Sequence, residues 1–390
     1  DQELLARAKR PNLRVGRGLL APAIAALDGS YTLVSQPEPL AHVPAAVRSG
    51  AATTVMASSL DEAHLEATAE DLGATDVVVG IGGGVVMDTA KFLAWRTATP
   101  LVLAPSILSV DASVTNTIAI RRNGTVEYDG FVVAEPIIAD LGLIATAPAR
   151  LNRAGVGDLL SIQTGRHDWA LGAKAGTIGF DADVDAAAQA VLGRLYAQAE
   201  EVVAVSDAAL EHIIRAYVEV NALLLTVGHS GPEEGSEHYF GYAVEAHTGR
   251  SFVHGELIGL GTVLMSGLQA NHQERAAAFL DGCGVEWRPH QLGLDRPTLE
   301  AVLLDLPRFV RAANMPHSII DEVTLDAAAK DGDLFLLRRA FGDAYLGLGE
   351  PEKARDSYQS ALEIQPDDVE SQLGVISSYV AEQNFVQARG

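Results

Sequence analysis

The chain has 390 residues with an ordinary globular composition, 48% hydrophobic and 20% charged, and a formal net charge of −23. That charge repels phosphate backbones and anionic bilayers, so nucleic-acid and membrane partners are not expected. The single cysteine, Cys283, excludes an internal disulfide and a cysteine-based zinc site. No apolar run reaches the ~18 residues of a membrane span and no secretory leader opens the chain, which predicts a cytoplasmic protein.

At about 100–200 residues per domain, two or three domains are expected. Residues 1–150 alternate short β-branched runs with helical patterns. Buried strands are predicted at 31–34, 53–56, 77–79, 101–103 and 137–139, and a helix at 60–72, where apolar residues recur at helical spacing. This rhythm predicts a Rossmann-like α/β domain with a parallel sheet covered on both faces. Over 151–332 the Ala-rich and Leu-rich segments 184–204, 206–227, 254–270 and 297–312 predict an all-α domain. The tail, 333–390, differs again. Phe341-Gly342, Tyr345, Ala354, Tyr358, Ala361 and Pro366 follow the small and aromatic spacing of a tetratricopeptide repeat. Tyr379 stands 34 residues after Tyr345, and Ala388 stands 34 after Ala354. An amphipathic helical hairpin closing the helical domain is the plainer reading. So short a repeat must bury its faces on the body or on a protein partner.

Four places carry candidate chemistry. First, the apolar run Val77-Val78-Val79 leads into Gly82-Gly83-Gly84 and then a helical stretch with Asp88 and Lys91. Glycines there would let backbone approach a phosphate, and the following helix offers free N–H groups and a positive dipole end. A tight strand-to-helix turn needs the same residues, so both readings stay open. Second, Ser106, Ser109 and Asp111 follow the next strand, at the carboxyl end where open α/β sheets bind ligands, although serines there also cap turns. Third, Asp158 lies in Gly155-Val156-Gly157-Asp158-Leu159-Leu160, where an acid is expensive to bury unless a cation meets it. Fourth, His238 and His254 each open an apolar helical stretch. Two imidazoles and a carboxylate suffice for a divalent metal with an open coordination position.

Taken together, these ordered blocks resemble the iron-containing alcohol dehydrogenase and dehydroquinate synthase superfamily, and within it the glycerol-1-phosphate dehydrogenase branch. The resemblance spans about 13–330 and excludes the tail. It rests on Gly82-Gly83-Gly84 with Asp88 and Lys91, Pro105-Ser106 with Ser109 and Asp111, Gly155-Val156-Gly157-Asp158, Asp168-Trp169, Glu237-His238 and His254-Gly255-Glu256. The resemblance implies that the turn from Gly83 through Gly84, Val85, Val86 and Met87 to Asp88 holds the pyrophosphate of NAD or NADP. It further implies that Ser106, Ser109 and Thr115 line the rest of that site and that Asp158, His238 and His254 hold one divalent metal. Zinc is expected, with iron or nickel as alternatives.

Asp111 and Tyr242 are the expected catalytic residues, facing a small carbonyl or polyol substrate. The implied activity is metal-dependent, NAD(P)H-linked reduction of a small ketone or aldehyde, of the dihydroxyacetone phosphate to glycerol 1-phosphate type. A sugar-phosphate cyclase and a non-catalytic protein using the tail for interaction are the alternatives, and a homo-oligomer is compatible with either enzyme. Two positions depart from the family: Val85 replaces its usual Lys and Tyr242 its usual His. A Tyr cannot become a cation near pH 7. Unphosphorylated carbonyls are therefore expected to be turned over at least as well as dihydroxyacetone phosphate. Arg153, Arg166 and Lys174 are the remaining candidate phosphate partners.

Overall fold

The computed structural model describes residues 2–382 apart from 123–124, 324–337, 340, 344, 347–348 and 365. Six parallel strands form one sheet: β1 (Leu13–Gly16), β2 (Tyr31–Ser35), β3 (Thr53–Met56), β4 (Val77–Gly82), β5 (Leu101–Pro105) and, further along the chain, β8 (Ile137–Asp140). Their order is β1-β8-β5-β4-β2-β3. Every residue of β2, β4, β5 and β8 is buried, as expected for central strands covered on both faces. The five predicted strands are all present. The sequence reading did not find β1, an edge strand too short and too polar at Arg14 to stand out, nor the antiparallel hairpin β6 (Ile118–Arg122) and β7 (Thr125–Asp129).

Helix α1 (Glu62–Glu70) follows β3, and helix α2 (Gly84–Thr97) follows β4. Between β4 and α2 the chain turns at Gly83, which caps the helix in extended conformation without a side-chain bond. Helix α2 lies tightly on the sheet, because a Cβ on Gly80 would meet Ala90 at 2.7 Å and Leu103 at 2.9 Å.

Beyond the sheet the chain is helical: α3 (Ala149–Leu160), α4 (Ile162–Lys174), α5 (Ala182–Tyr196), α6 (Ala199–Ala204), α7 (Asp207–Val227), α8 (Ser236–Thr248), α9 (His254–Leu268), α10 (Gln273–Cys283) and α11 (Arg296–Ala312). The predicted helix 184–204 is two helices, since Ala197 and Gln198 close α5 on the carbonyls of Arg194 and Leu195. Helices α3 and α4 escaped the reading because Gly155, Gly157 and Gly165 dilute their apolar pattern. Helix α9 is buried on nearly every side, so it shows no polar face.

In the tail, α12 (Pro351–Ile364) pairs with α13 (Val369–Ala381). The Tyr358 ring fills the space over Gly342 and Gly374, where a Cβ on either would come within 2.4 Å of it. Phe341, Tyr345, Ala354 and Tyr358 join the main apolar core, so this segment packs on the body. Ala388, the second recurrence of the repeat pattern, lies outside the described residues. Among the described residues no helix is long and apolar enough to cross a membrane.

Candidate functional site

The site lies where the carboxyl ends of β4 and β5 meet α3, α8 and α9. At the sheet end, Gly84, Val85 and Val86 open α2, so their N–H groups have no carbonyl four residues back. The side chains of Val86 and Met87 are buried in the core, and the Met87 N–H is bonded to the Gly83 carbonyl at 3.0 Å, so the free donors of this turn are the N–H groups before it. Asp88 is also engaged internally. It pairs with the buried Lys91 at 2.7 Å and accepts the Ala119 N–H at 3.2 Å. Lys91 in turn donates to Thr115 Oγ1 at 3.2 Å and to the Thr117 carbonyl at 2.8 Å, tying the following loop to α2.

The loop 106–116 bridges the two halves of the site. Ser106 donates its N–H to Gly82, and both Ser106 and Ser109 are buried. Ile107 and Val110 are the side chains a Cβ on Gly83 or Gly84 would meet, at 2.8 and 3.2 Å. On its other side, the Leu108 N–H donates to the Asn152 side-chain oxygen on α3 at 3.1 Å. Asp111 faces Asp158 and His254; burial first, and then the Asp158 charge, push its carboxyl up to about 7.

The metal-competent cluster is assembled from three helices. Asp158 sits in α3, His238 in the first turn of α8 and His254 at the start of α9. One ligand atom from each lies within 4.8 Å of the others. Asp158 Oδ1 is 3.3 Å from His254 Nε2 and 3.7 Å from His238 Nε2. Burial raises the Asp158 carboxyl, but the two imidazoles outweigh it and hold the group below the usual carboxylate range. Glycines explain the assembly. A Cβ on Gly157 would lie 1.9 Å from the Gly255 carbonyl oxygen, and one on Gly255 would lie 1.9 Å from that of Ala154. Helices α3 and α9 therefore touch backbone to backbone, which sets Asp158 beside His254. Glu256 adds a two-point bond to Arg150 on α3, at 2.6 and 2.7 Å.

His238 is placed from behind. The buried Asp168 carboxylate accepts the N–H and hydroxyl of Ser236 at 2.8 and 2.6 Å, fixing the start of α8. Glu237 Oε1 lies 2.8 Å from His238 Nδ1. A proton on Nδ1 shared with that oxygen leaves the Nε2 lone pair toward Asp158. Metal-bound imidazoles use this arrangement, so the residues present fit a divalent ion.

Beyond the cluster, the Tyr242 hydroxyl donates to Glu234 Oε1 at 2.9 Å, and the Tyr128 hydroxyl from β7 lies 3.3 Å from that of Tyr242. Glu233 is buried, and burial followed by Asp111 and Asp158 pushes it well above its usual range. The sequence reading missed Glu233, Glu234 and Tyr128. No local signal marks the acids, while the dipeptide Asn123-Gly124 is the hairpin signal that would have found β6 and β7. The candidate phosphate partners are committed elsewhere or lie outside. Arg166 binds Asp185 through two bonds of 2.7 and 2.8 Å, on a cavity of about 380 Å³ that contains none of the cluster residues. Arg153 donates to the Val203 carbonyl, and Lys174 is exposed in the last turn of α4.

The family described as iron-containing alcohol dehydrogenase matches residues 41–148. The chain is 27% identical over 254 residues to a glycerol-1-phosphate dehydrogenase [NAD(P)+] of Thermococcus kodakarensis, covering 65% of this chain and 72% of that protein. It is 29% identical over 231 residues to the protein of the same name from Methanococcoides burtonii, covering 59% and 65%. Its fold matches a probable glycerol dehydrogenase from Sinorhizobium meliloti with a TM-score of 0.63 at 23% identity, covering 85% of this chain and 97% of the other. These similarities support the iron-containing alcohol dehydrogenase superfamily and indicate an oxidoreductase.

Proposed function

We propose that the chain is an NAD(P)-dependent, metal-containing dehydrogenase that reduces a small ketone or aldehyde, of the dihydroxyacetone phosphate to glycerol 1-phosphate type. One observation carries this reading. The loop 106–116 joins the glycine turn to the Asp158, His238 and His254 cluster, with Val110 against Gly84 and Asp111 facing Asp158. A nicotinamide cofactor would supply hydride, and a divalent ion would supply Lewis-acid polarisation of the carbonyl.

The protein's part is orientation and charge. The N–H groups of Gly84, Val85 and Val86 face the pyrophosphate at the positive end of α2, with Gly83 keeping the approach clear and Met87 and Asp88 anchoring the turn. Ser106, Ser109 and Thr115 border the rest of the cofactor. Asp158, His238 and His254 hold the ion, and two nitrogens with one carboxylate oxygen suit zinc, with iron and nickel as alternatives. Asp111 and Tyr242 position the hydroxyl next to the reacting carbon. We read the tail as a tetratricopeptide-like unit, supported by Tyr358 filling the space over Gly342 and Gly374.

The test is a reductase screen with NADH and NADPH on metal-analysed protein, using dihydroxyacetone phosphate and its unphosphorylated analogues. Net cofactor oxidation is expected. A cyclase of the dehydroquinate synthase type regenerates its cofactor within each cycle, so product formation without net absorbance change would replace the reductase reading. Protein that binds neither cofactor nor metal would favour the non-catalytic alternative.

A further inference from the structure

We propose that the cavity between α4, α5 and α10 is a second ligand site, which takes a small organic anion: a carboxylate or a phosphate monoester on a compact apolar body. The cavity holds about 380 Å³, toward the lower end of small-molecule sites, and none of its lining residues belongs to the metal cluster, the glycine turn or the loop 106–116. Two guanidiniums, of Arg166 and Arg275, and two imidazoles, of His167 and His272, line it with one carboxylate, that of Asp185. This balance is the reverse of the chain as a whole, whose net charge is −23. Apolar surface completes the wall. Phe180 is 46% exposed, its ring 4.5 Å from that of Trp169, and Ala170 and Leu192 line the same cavity.

Hydrogen bonding within the wall engages its acceptors and leaves donors over. The two Asp185 oxygens accept from Arg166 Nε and Nη2 at 2.7 and 2.8 Å, so Arg166 Nη1 has no acceptor among the described residues. The Tyr196 hydroxyl donates to the Gln163 side-chain oxygen, and Gln163 Nε2 donates to Ser266 Oγ and to the Asn271 carbonyl, each at 2.8 Å. Arg275 is different. Its guanidinium lies 3.9 Å over the Tyr196 ring and has no hydrogen-bond or ion-pair partner among the described residues. Stacking uses the face of the guanidinium and holds its plane, so the N–H fork on the edge stays available for a carboxylate or a phosphate. His167 and His272 add ring nitrogens that can donate to the same ligand. Charge-assisted bonds to a fork of this kind are the strong ones, which favours an anion over a neutral acceptor.

The experiment titrates the full, metal-loaded chain by calorimetry with phenyl phosphate, benzoate and the neutral benzyl alcohol. At least one of the two anions should bind about tenfold more tightly than benzyl alcohol, and the stronger of the two decides between phosphate and carboxylate. Arg275→Ala should weaken that anion about tenfold by removing the fork. Gln189→Glu places a negative charge at an exposed position of the same cavity and should weaken it about threefold, with little risk to the fold. Benzyl alcohol should respond to neither substitution, and metal content and melting temperature should stay at the values of the unaltered protein in Gln189→Glu. Absence of binding by both anions, or affinity no better than that of benzyl alcohol, overturns the inference. So does an anion whose affinity is unchanged in either variant, because it then binds at the metal cluster or elsewhere on the surface.

Discussion

A Cβ placed on Gly84, at the turn into α2, would come 3.2 Å from the Val110 side chain; on Gly157, in α3, it would come 1.9 Å from the backbone oxygen of Gly255. At the first position the obstacle is a side chain that can shift by a few tenths of an ångström. At the second it is a helix backbone that cannot move without carrying His254 with it. Both glycines belong to runs that the sequence singles out, yet they do different work. On the proposed function the turn keeps a surface open for the cofactor, whereas α3 and α9 use glycine to close a gap so that side chains from distant segments meet. Glycine-rich runs in one site can therefore have opposite sensitivities, one visible only with ligand present and one visible in the protein alone.

Removing the side chains that α3 and α9 bring together should have the largest effect. His238→Ala and His254→Ala are each expected to lose bound metal, measured by elemental analysis; full occupancy in both would overturn the ligand set. Next comes the contact beneath them. Gly157→Ala forces a methyl into a carbonyl, and overpacking of this kind costs roughly 1–3 kcal/mol or more. The melting temperature and the metal content should fall together, while Gly84→Ala should leave both close to the unaltered protein when no cofactor is added. Equal behaviour of the two alanine variants would erase the distinction drawn between the glycines.

Smaller effects sharpen it. Glu237→Gln keeps the hydrogen-bond reach to His238 Nδ1 but removes the charge, and loss of such partners typically weakens metal binding about 10–100-fold. A competition titration with a chelating dye would measure this, and unaltered affinity would mean that Glu237 plays no part in orienting the imidazole. At the other end, Gly84→Val should raise the cofactor dissociation constant about tenfold by crowding the backbone N–H groups, with metal content intact. Fluorescence titration with NADH and NADPH reads that change. If binding is unchanged, the turn serves only to join strand and helix.

Much of the sheet was legible because burial on both faces writes uninterrupted apolar runs, as in Val77-Val78-Val79 and Leu101-Val102-Leu103. Helix α9 was legible as a long apolar segment, and His254 marked its start. Helix α3 was not, because the residues that make its contact with α9 possible, Gly155 and Gly157, are those that spoil a helical pattern. The triad of Asp158, His238 and His254 could be named from chemistry and from the spacing that a family resemblance supplies. That Oδ1 and the two Nε2 atoms converge within 4.8 Å is a property of the helix crossings.

Local sequence by itself determined the strand and helix periods, the glycine turn after β4 and the absence of cysteine chemistry, since each depends on residues close along the chain. Only the tertiary structure decided that Asp88 and Lys91 form a buried pair holding the 115–119 loop, and that Asp168 anchors the start of α8. It also decided that Glu234 and Tyr128 meet the Tyr242 hydroxyl and that Glu233 is buried. The physical reason is that an acid in a Pro-Glu-Glu-Gly loop has no local signature of burial, and a tyrosine in a hairpin has no local signature of the partner it meets. The Tyr128 and Tyr242 hydroxyls, for example, come from positions 114 residues apart.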